Sequence, residues 1–165
     1  MPLETMNGLV FIGGEAPGRE TCRRLAREAD LIAAADSGLI CAEEAGIRPD
    51  WIIGDMDSID DKSRLDNYPP DRVLRFPAAK DFTDTELAVN LLLEKGCGEI
   101  SIAGGGGGRL DHIFAIAAMF EREKPPCRWF TKNENIFLVS GEFHCQIPEG
   151  GLVSVFPLGD GPWKA

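Results

Sequence analysis

Acidic side chains that close short apolar runs are where this sequence can do chemistry. The segment DWIIGDMDSIDD (50–61) passes from Trp51-Ile52-Ile53 into Asp55, Asp57, Asp60 and Asp61. Asp36 closes the run DLIAAAD (30–36), and AAKDFTD (78–84) carries Asp81 and Asp84. Two unit charges ~4 Å apart repel by roughly 1 kcal/mol in bulk water and by about 4 at an effective dielectric of 20. Residues two apart in extended chain point the same way, so Asp55 and Asp57 can share one side of the backbone. Converging carboxylates either rise in pKa or hold a cation. An all-oxygen set without His or Cys suits Mg²⁺ better than a transition metal. Asp36, Asp55, Asp57 and Asp84 are therefore candidate metal ligands. Taken singly, an Asp after a strand is an ordinary turn former, and Asp60 and Asp61 suit the start of a short polar helix.

A second feature is AGGGGGRLDH (103–112). It does not fit a dinucleotide fingerprint, because it follows the fifth strand-like run, and GGEAPG after the first is a poor G-x-G-x-x-G. No G-x-x-x-x-G-K-[ST] occurs. A tight strand-to-helix turn needs one or two glycines rather than five. The favoured expectation is an anion cradle of backbone N–H groups at a helix N-terminus, with Arg109 as a fork-shaped donor. Carboxylates for a metal beside such a cradle and two cations, Lys80 and Arg109, are the parts of phosphoryl transfer, which needs charge neutralisation and positioning.

The elements that must position these groups alternate. Strand-like runs are expected at 8–14, 30–36, 50–55, 72–77 and 99–108, and helices at 18–30, 37–46, 83–96 and 110–123. Ser37 and Gly46 mark the ends of the second helix. The third has the strongest pattern, with a Thr83/Glu86 capping box, apolar i,i+4 pairs and Gly96 as its stop. Strands alternating with helices predict an α/β fold, a mostly parallel sheet covered by helices on both faces. Ligands of such sheets bind outside the strands' carboxyl ends, where the loops carry Asp36, Asp55, Asp57, Lys80, Asp81, Thr83, Asp84, Arg109 and Asp111. From residue 128 the runs are short and β-rich, which predicts the beginning of a second, all-β unit.

Bulk properties narrow the partners. The 165 residues suffice for one core, or one domain and part of another. A net charge of −10 argues against nucleic acid. No apolar run approaches the ~20 residues of a membrane helix. The opening MPLETMNGLVF lacks the basic and apolar segments of a secretory signal, so a cytoplasmic protein is expected. Cys22, Cys41, Cys97, Cys127 and Cys145 are widely spaced, and with His112 and His144 they show no metal-binding spacing.

Four ordered blocks, ADSG (35–38), PDWIIGDMDSI (49–59), KDFTDTE (80–86) and GGRLDH (107–112), resemble the signature blocks of thiamine pyrophosphokinases. The resemblance implies a Rossmann-like catalytic domain binding ATP and Mg²⁺ over residues 1–127. It also implies the beginning of a C-terminal β-sandwich over 128–165, incomplete here, that binds thiamine and forms a homodimer. The implied reaction moves a diphosphoryl group from ATP to the hydroxyethyl oxygen of thiamine and releases AMP. Carried over by position, Asp36, Asp55, Asp57 and Asp84 hold magnesium. Lys80, Asp81, Thr83, Gly107, Gly108 and Arg109 belong to the ATP site, with Lys80 and Arg109 meeting phosphates and Thr83 helping to place Asp84. Asp111 lies near the acceptor hydroxyl. Asp55, Asp57, Asp84, Arg109 and Asp111 form the implied catalytic set. Ser37 stands where the family usually has glycine. The chain ends before the region that usually holds the thiamine rings, which suggests a truncated protein. Another alcohol such as a pterin as acceptor, or a non-catalytic nucleotide-binding module, are the alternatives.

Overall fold

The computed structural model describes residues 5–77, 79 and 81–159. Strands β1 (Met6–Phe11), β2 (Leu31–Ala35), β3 (Trp51–Gly54), β4 (Val73–Arg75), β5 (Cys97–Ala103), β6 (Arg128–Phe130) and β7 (Asn135–Phe137) form one sheet. Its order is β4-β3-β2-β1-β5-β6-β7. All neighbours run parallel except β6 and β7, which pair antiparallel. Among the described residues four α-helices lie between strands: α1 (Arg19–Glu28), α2 (Gly38–Glu44), α3 (Asp84–Glu94) and α4 (Leu110–Met119). The expected α/β architecture is present, with most elements a few residues shorter than their sequence patterns and β1 and β5 each beginning two residues earlier.

Period-two alternation divides the core. Leu9 and Phe11 of β1 pack on one face with Cys22 and Leu25 of α1 and Leu39 and Ala42 of α2. Val10 points the other way, with Ile12, to Ala88, Val89 and Leu92 of α3 and Ile116 and Met119 of α4. Both faces of the sheet are thus covered, as parallel pairing demands. The strand order reverses between β1 and β5, the kind of switch point at whose carboxyl ends parallel sheets bind ligands.

The first runs after residue 127 lie in the same sheet. β6 pairs with β5 through Ser101–Arg128, Ile102–Trp129 and Ala103–Phe130, and β7 returns along β6. The short, turn-separated runs expected to begin a second unit thus start as edge strands of this sheet. Residues 138–159 contain no strand or helix.

Candidate functional site: a carboxylate cluster at the sheet rim

The loop after β2 presents Asp36 in a left-handed conformation, φ +46. Asp tolerates this region because its short side chain bonds locally. Here Oδ1 accepts the Met56 N–H at 3.0 Å, and the Asp36 N–H donates to the Ile53 carbonyl at 2.9 Å. The β2 loop is thereby stitched to the end of β3. Gly54, φ +147, completes the fit, since a Cβ there would fall 2.0 Å from Asp36 Oδ1. Met56, φ +64, turns the chain and buries its side chain completely.

That turn corrects the expectation of extended chain through Asp55 and Asp57. A left-handed Met56 brings the Asp57 N–H onto Asp55 Oδ1 at 3.0 Å, an Asx-type turn rather than a strand. One carboxylate oxygen each from Asp36, Asp55 and Asp84 lies within 4.8 Å of the others. Exposed Asp57 stands beside this trio. Its pKa is raised by a hydrogen bond with Asp55 and by the charges of Asp55 and Asp84.

Asp84 reaches the cluster from the first turn of α3. Thr83 caps that helix: its hydroxyl accepts the Glu86 N–H at 3.2 Å, and Glu86 returns a carboxylate to the Thr83 N–H at 2.6 Å. Burial pushes the Glu86 pKa up. The Thr83 groups and the guanidinium of Arg122, which pairs with Glu86 from beyond α4, outweigh it and hold Glu86 low. For Asp36 the balance goes the other way. Burial, a hydrogen bond with Asp84 and the charges of Asp84 and Asp55 push it up to about 7 against the pull of the Met56 N–H.

The glycine run divides into two parts. Gly104, Gly105 and Gly106 are buried against the end of β1. Gly105 N–H donates to the Gly13 carbonyl at 2.8 Å, and Glu15 and Gly106 exchange bonds of 2.7 and 3.1 Å. A Cβ on Gly104 would fall 2.2 Å from the Ile12 carbonyl oxygen. Close backbone packing, rather than flexibility, accounts for these three. Gly107 and Gly108 are exposed with φ of +65 and +77, and a Cβ on Gly108 would meet nothing within 4 Å. Arg109 precedes α4 and clasps Asp111 with two bonds of 3.0 and 2.5 Å. The guanidinium holds the Asp111 carboxyl below its usual range.

Asp81 is exposed nearby in sequence, and Lys80 lies outside the described residues. Ser37 makes no capping bond. Its hydroxyl instead lies where a Cβ on Gly13 would come within 2.2 Å, and its N–H donates to Ser58 Oγ at 3.2 Å. Asp61 does cap, accepting the Ser63 N–H at 3.0 Å at the head of a 3₁₀ turn. Sequence pattern did not single out Gly54, Met56 or Arg122. A glycine ending a strand signals close approach and could have flagged Gly54, whereas nothing local marks the other two. A cleft of about 350 Å³ opens between the end of β1, the start of α1 and the length of α2. Gly13, Gly14, Arg19, Cys22, Ser37 and Cys41 are in its wall.

The arrangement can hold a hard divalent cation. Three oxygen donors converge without His or Cys, and Gly54 leaves Asp36 the space its carboxylate needs. A family described as thiamin pyrophosphokinase, catalytic domain, matches residues 22–130, which include Asp36, Asp55, Asp57, Asp84, Arg109 and Asp111. A thiamine pyrophosphokinase of Bacillus subtilis (strain 168) is 39% identical over 80 residues, covering 47% of this chain and 37% of that protein. The crystal structure of a thiamin pyrophosphokinase from Geobacillus thermodenitrificans superposes with TM-score 0.56 at 30% identity, covering 76% of this chain and 60% of that one. A thiamin pyrophosphokinase family protein from Enterococcus faecalis has the same fold, with TM-score 0.63 at 24% identity over 81% and 64% of the two chains. This chain thus spans less than two thirds of each of these relatives. With more than half of its length matched by the family's catalytic domain, the chain belongs to the thiamin pyrophosphokinase family.

Proposed function

We propose that this chain is the nucleotide- and metal-binding part of a thiamine diphosphokinase, moving a diphosphoryl group from ATP to the hydroxyethyl oxygen of thiamine and releasing AMP. The observation that carries this is the convergence of Asp36, Asp55 and Asp84 in a chain of this family. These three would hold Mg²⁺, with Asp57 reaching it from the adjoining turn. The bound ion would screen phosphate charge. Gly107 and Gly108 would offer backbone N–H groups to phosphate, and Lys80 and Arg109 positive charge. Asp111 keeps Arg109 oriented until phosphate competes for it, and then faces the acceptor hydroxyl. Thr83 fixes the first turn of α3 and with it Asp84; Asp81 lies at the rim of the ATP site.

We place the start of a thiamine-binding, dimer-forming β-unit after β7 rather than at residue 128. Leu152, Val155 and Phe156 are 98%, 78% and 82% exposed, a density of bare apolar side chains that suits a segment completed by further chain or a second copy. The five free thiols fit a reducing cytoplasm, and no helix among the described residues is long and apolar enough to cross a membrane.

The deciding experiment identifies the product nucleotide when the protein is incubated with ATP, Mg²⁺ and thiamine. AMP formation that needs all three supports the proposal. ADP as product, or AMP formation indifferent to thiamine, rejects it.

A further inference from the structure

One ionic contact joins the helices that carry two separate parts of the site. α3 brings Asp84 to the carboxylate cluster, and α4 begins directly after Arg109 at the end of the glycine run. Beyond α4 the chain turns, with the Arg122 N–H on the Met119 carbonyl at 3.3 Å. The Arg122 guanidinium then returns to Glu86 in the first turn of α3, a partner 36 residues away in sequence. This turn is anchored from beneath. Met119 and Phe120 are buried in the same apolar cluster as Ala88, Val89 and Leu92 of α3.

Glu86 divides its two oxygens between two donors. Oε2 accepts the Thr83 N–H at 2.6 Å and closes the capping box, while Oε1 accepts from Arg122 Nη2. Glu86 is only 8% exposed, so water has little access to replace a missing donor. Without Arg122 the Oε1 charge would lose its partner inside the fold, a state that buried carboxylates avoid. The carboxylate would be drawn toward solvent and away from the Thr83 N–H. Asp84 immediately follows Thr83, so a looser cap moves its carboxylate directly.

We propose that Arg122 is a positioning residue for the divalent cation, holding Asp84 in place through Glu86 and the cap of α3. The role presupposes, with the function proposed above, that Asp84 is a ligand. Arg122 itself touches no reacting group. Asp36, Asp55 and Asp84 bring like charges together, and their repulsion must be resisted by a first turn that does not yield. A guanidinium on a carboxylate is among the stronger contacts available for that purpose. α4 thus starts at the arginine assigned to phosphate and ends on the support of the aspartate assigned to metal.

The test is Mn²⁺ affinity in the full 165-residue protein, measured where the circular dichroism spectra of all variants coincide. Arg122 lies at the surface, so Arg122→Met leaves the core untouched and keeps the apolar stem. Glu86→Gln keeps an acceptor for the Thr83 N–H and removes only the charge that Arg122 pairs with. Arg122→Met should weaken Mn²⁺ binding ~10-fold, the lower end of what loss of an outer partner costs a metal site. In the Glu86→Gln background the same replacement should matter much less, because its effect passes through that carboxylate. Arg122→Lys should recover most of the parent's affinity. A lower urea midpoint with parental Mn²⁺ affinity in Arg122→Met would make Arg122 purely structural and overturn the proposal. An equal loss in both backgrounds also overturns it. Asp84→Asn tells the two readings apart. Weakened binding there, with none in Arg122→Met, ends the positioning role and leaves the cation site standing. Undiminished binding in Asp84→Asn removes the ligand and the positioning role together.

Discussion

The missing side chain of Gly54 makes room for the carboxylate of Asp36: a Cβ at Gly54 would fall 2.0 Å from Asp36 Oδ1, and the residue's φ of +147 disfavours any other amino acid. Gly54→Ala is therefore expected to displace Asp36 and to destabilise the fold by about 1–3 kcal/mol through backbone strain. Urea unfolding measures the second effect and titration with Mn²⁺ the first. An alanine variant that binds Mn²⁺ as well as the parent would show that Asp36 is not a ligand.

Asp55→Asn removes a charge but almost no volume. Loss of an outer-shell partner of a metal typically costs 10–100-fold in affinity, so loss of a direct ligand should cost ~100-fold or more in divalent-cation binding. Turnover should fall with it, while the circular dichroism spectrum and urea midpoint stay near the parent's. Near-normal turnover at saturating Mg²⁺ would remove Asp55 from the ligand set.

Asp36 makes stability depend on pH in a definite direction. Its carboxyl titrates near 3.8 in an unfolded chain and at about 7 in the folded one, so the folded state holds the proton more tightly. The metal-free protein should be most stable below about pH 4 as far as this group is concerned, and lose that contribution as pH rises through 7. Asp36→Asn should flatten the decline. Cation binding runs the opposite way, because the proton competes for the same oxygens, so affinity for Mn²⁺ should rise across pH 6–8. Urea midpoints across pH 4–7 and Mn²⁺ titrations across pH 6–8 check the two slopes.

Thr83→Ala breaks the capping box that begins α3 and leaves the Glu86 N–H without its hydroxyl acceptor. A loss of about 1 kcal/mol in unfolding free energy is expected. Cation affinity should weaken as well, because Asp84 occupies the first turn this cap secures. Thr83→Ser should restore both, which separates the hydroxyl's role from that of the methyl group.

Arg109 and Asp111 are both largely exposed, so water and salt screen their pair and it adds little to stability. Arg109→Ala should leave the urea midpoint nearly unchanged. It should also let Asp111 return toward the ordinary carboxylate range, a shift visible in NMR titration of its side-chain carbon. On the proposed function it weakens ATP binding. Unaltered ATP affinity by calorimetry would take Arg109 out of the phosphate site.

The local rules were legible in the chain itself. Thr83 and Glu86 three apart specified a cap, Gly46 and Gly96 took the positive φ that ends a helix, and alternating apolar residues in β1 specified two covered faces. These outcomes depend on neighbours within a few residues, and periodicity records such neighbours directly. Which distant groups meet is not recorded in that way. Asp36, Asp55 and Asp84 come together because β2 and β3 are adjacent and α3 begins at the same rim. Gly104–Gly106 are glycines because the end of β1 presses on them, and β6 and β7 join the first sheet because β5 offers them an edge. Sequence fixes the direction a side chain takes from its own backbone. The lateral order of strands and the left-handed turns at Asp36 and Met56 decide what it faces, and those emerge only when the whole chain packs.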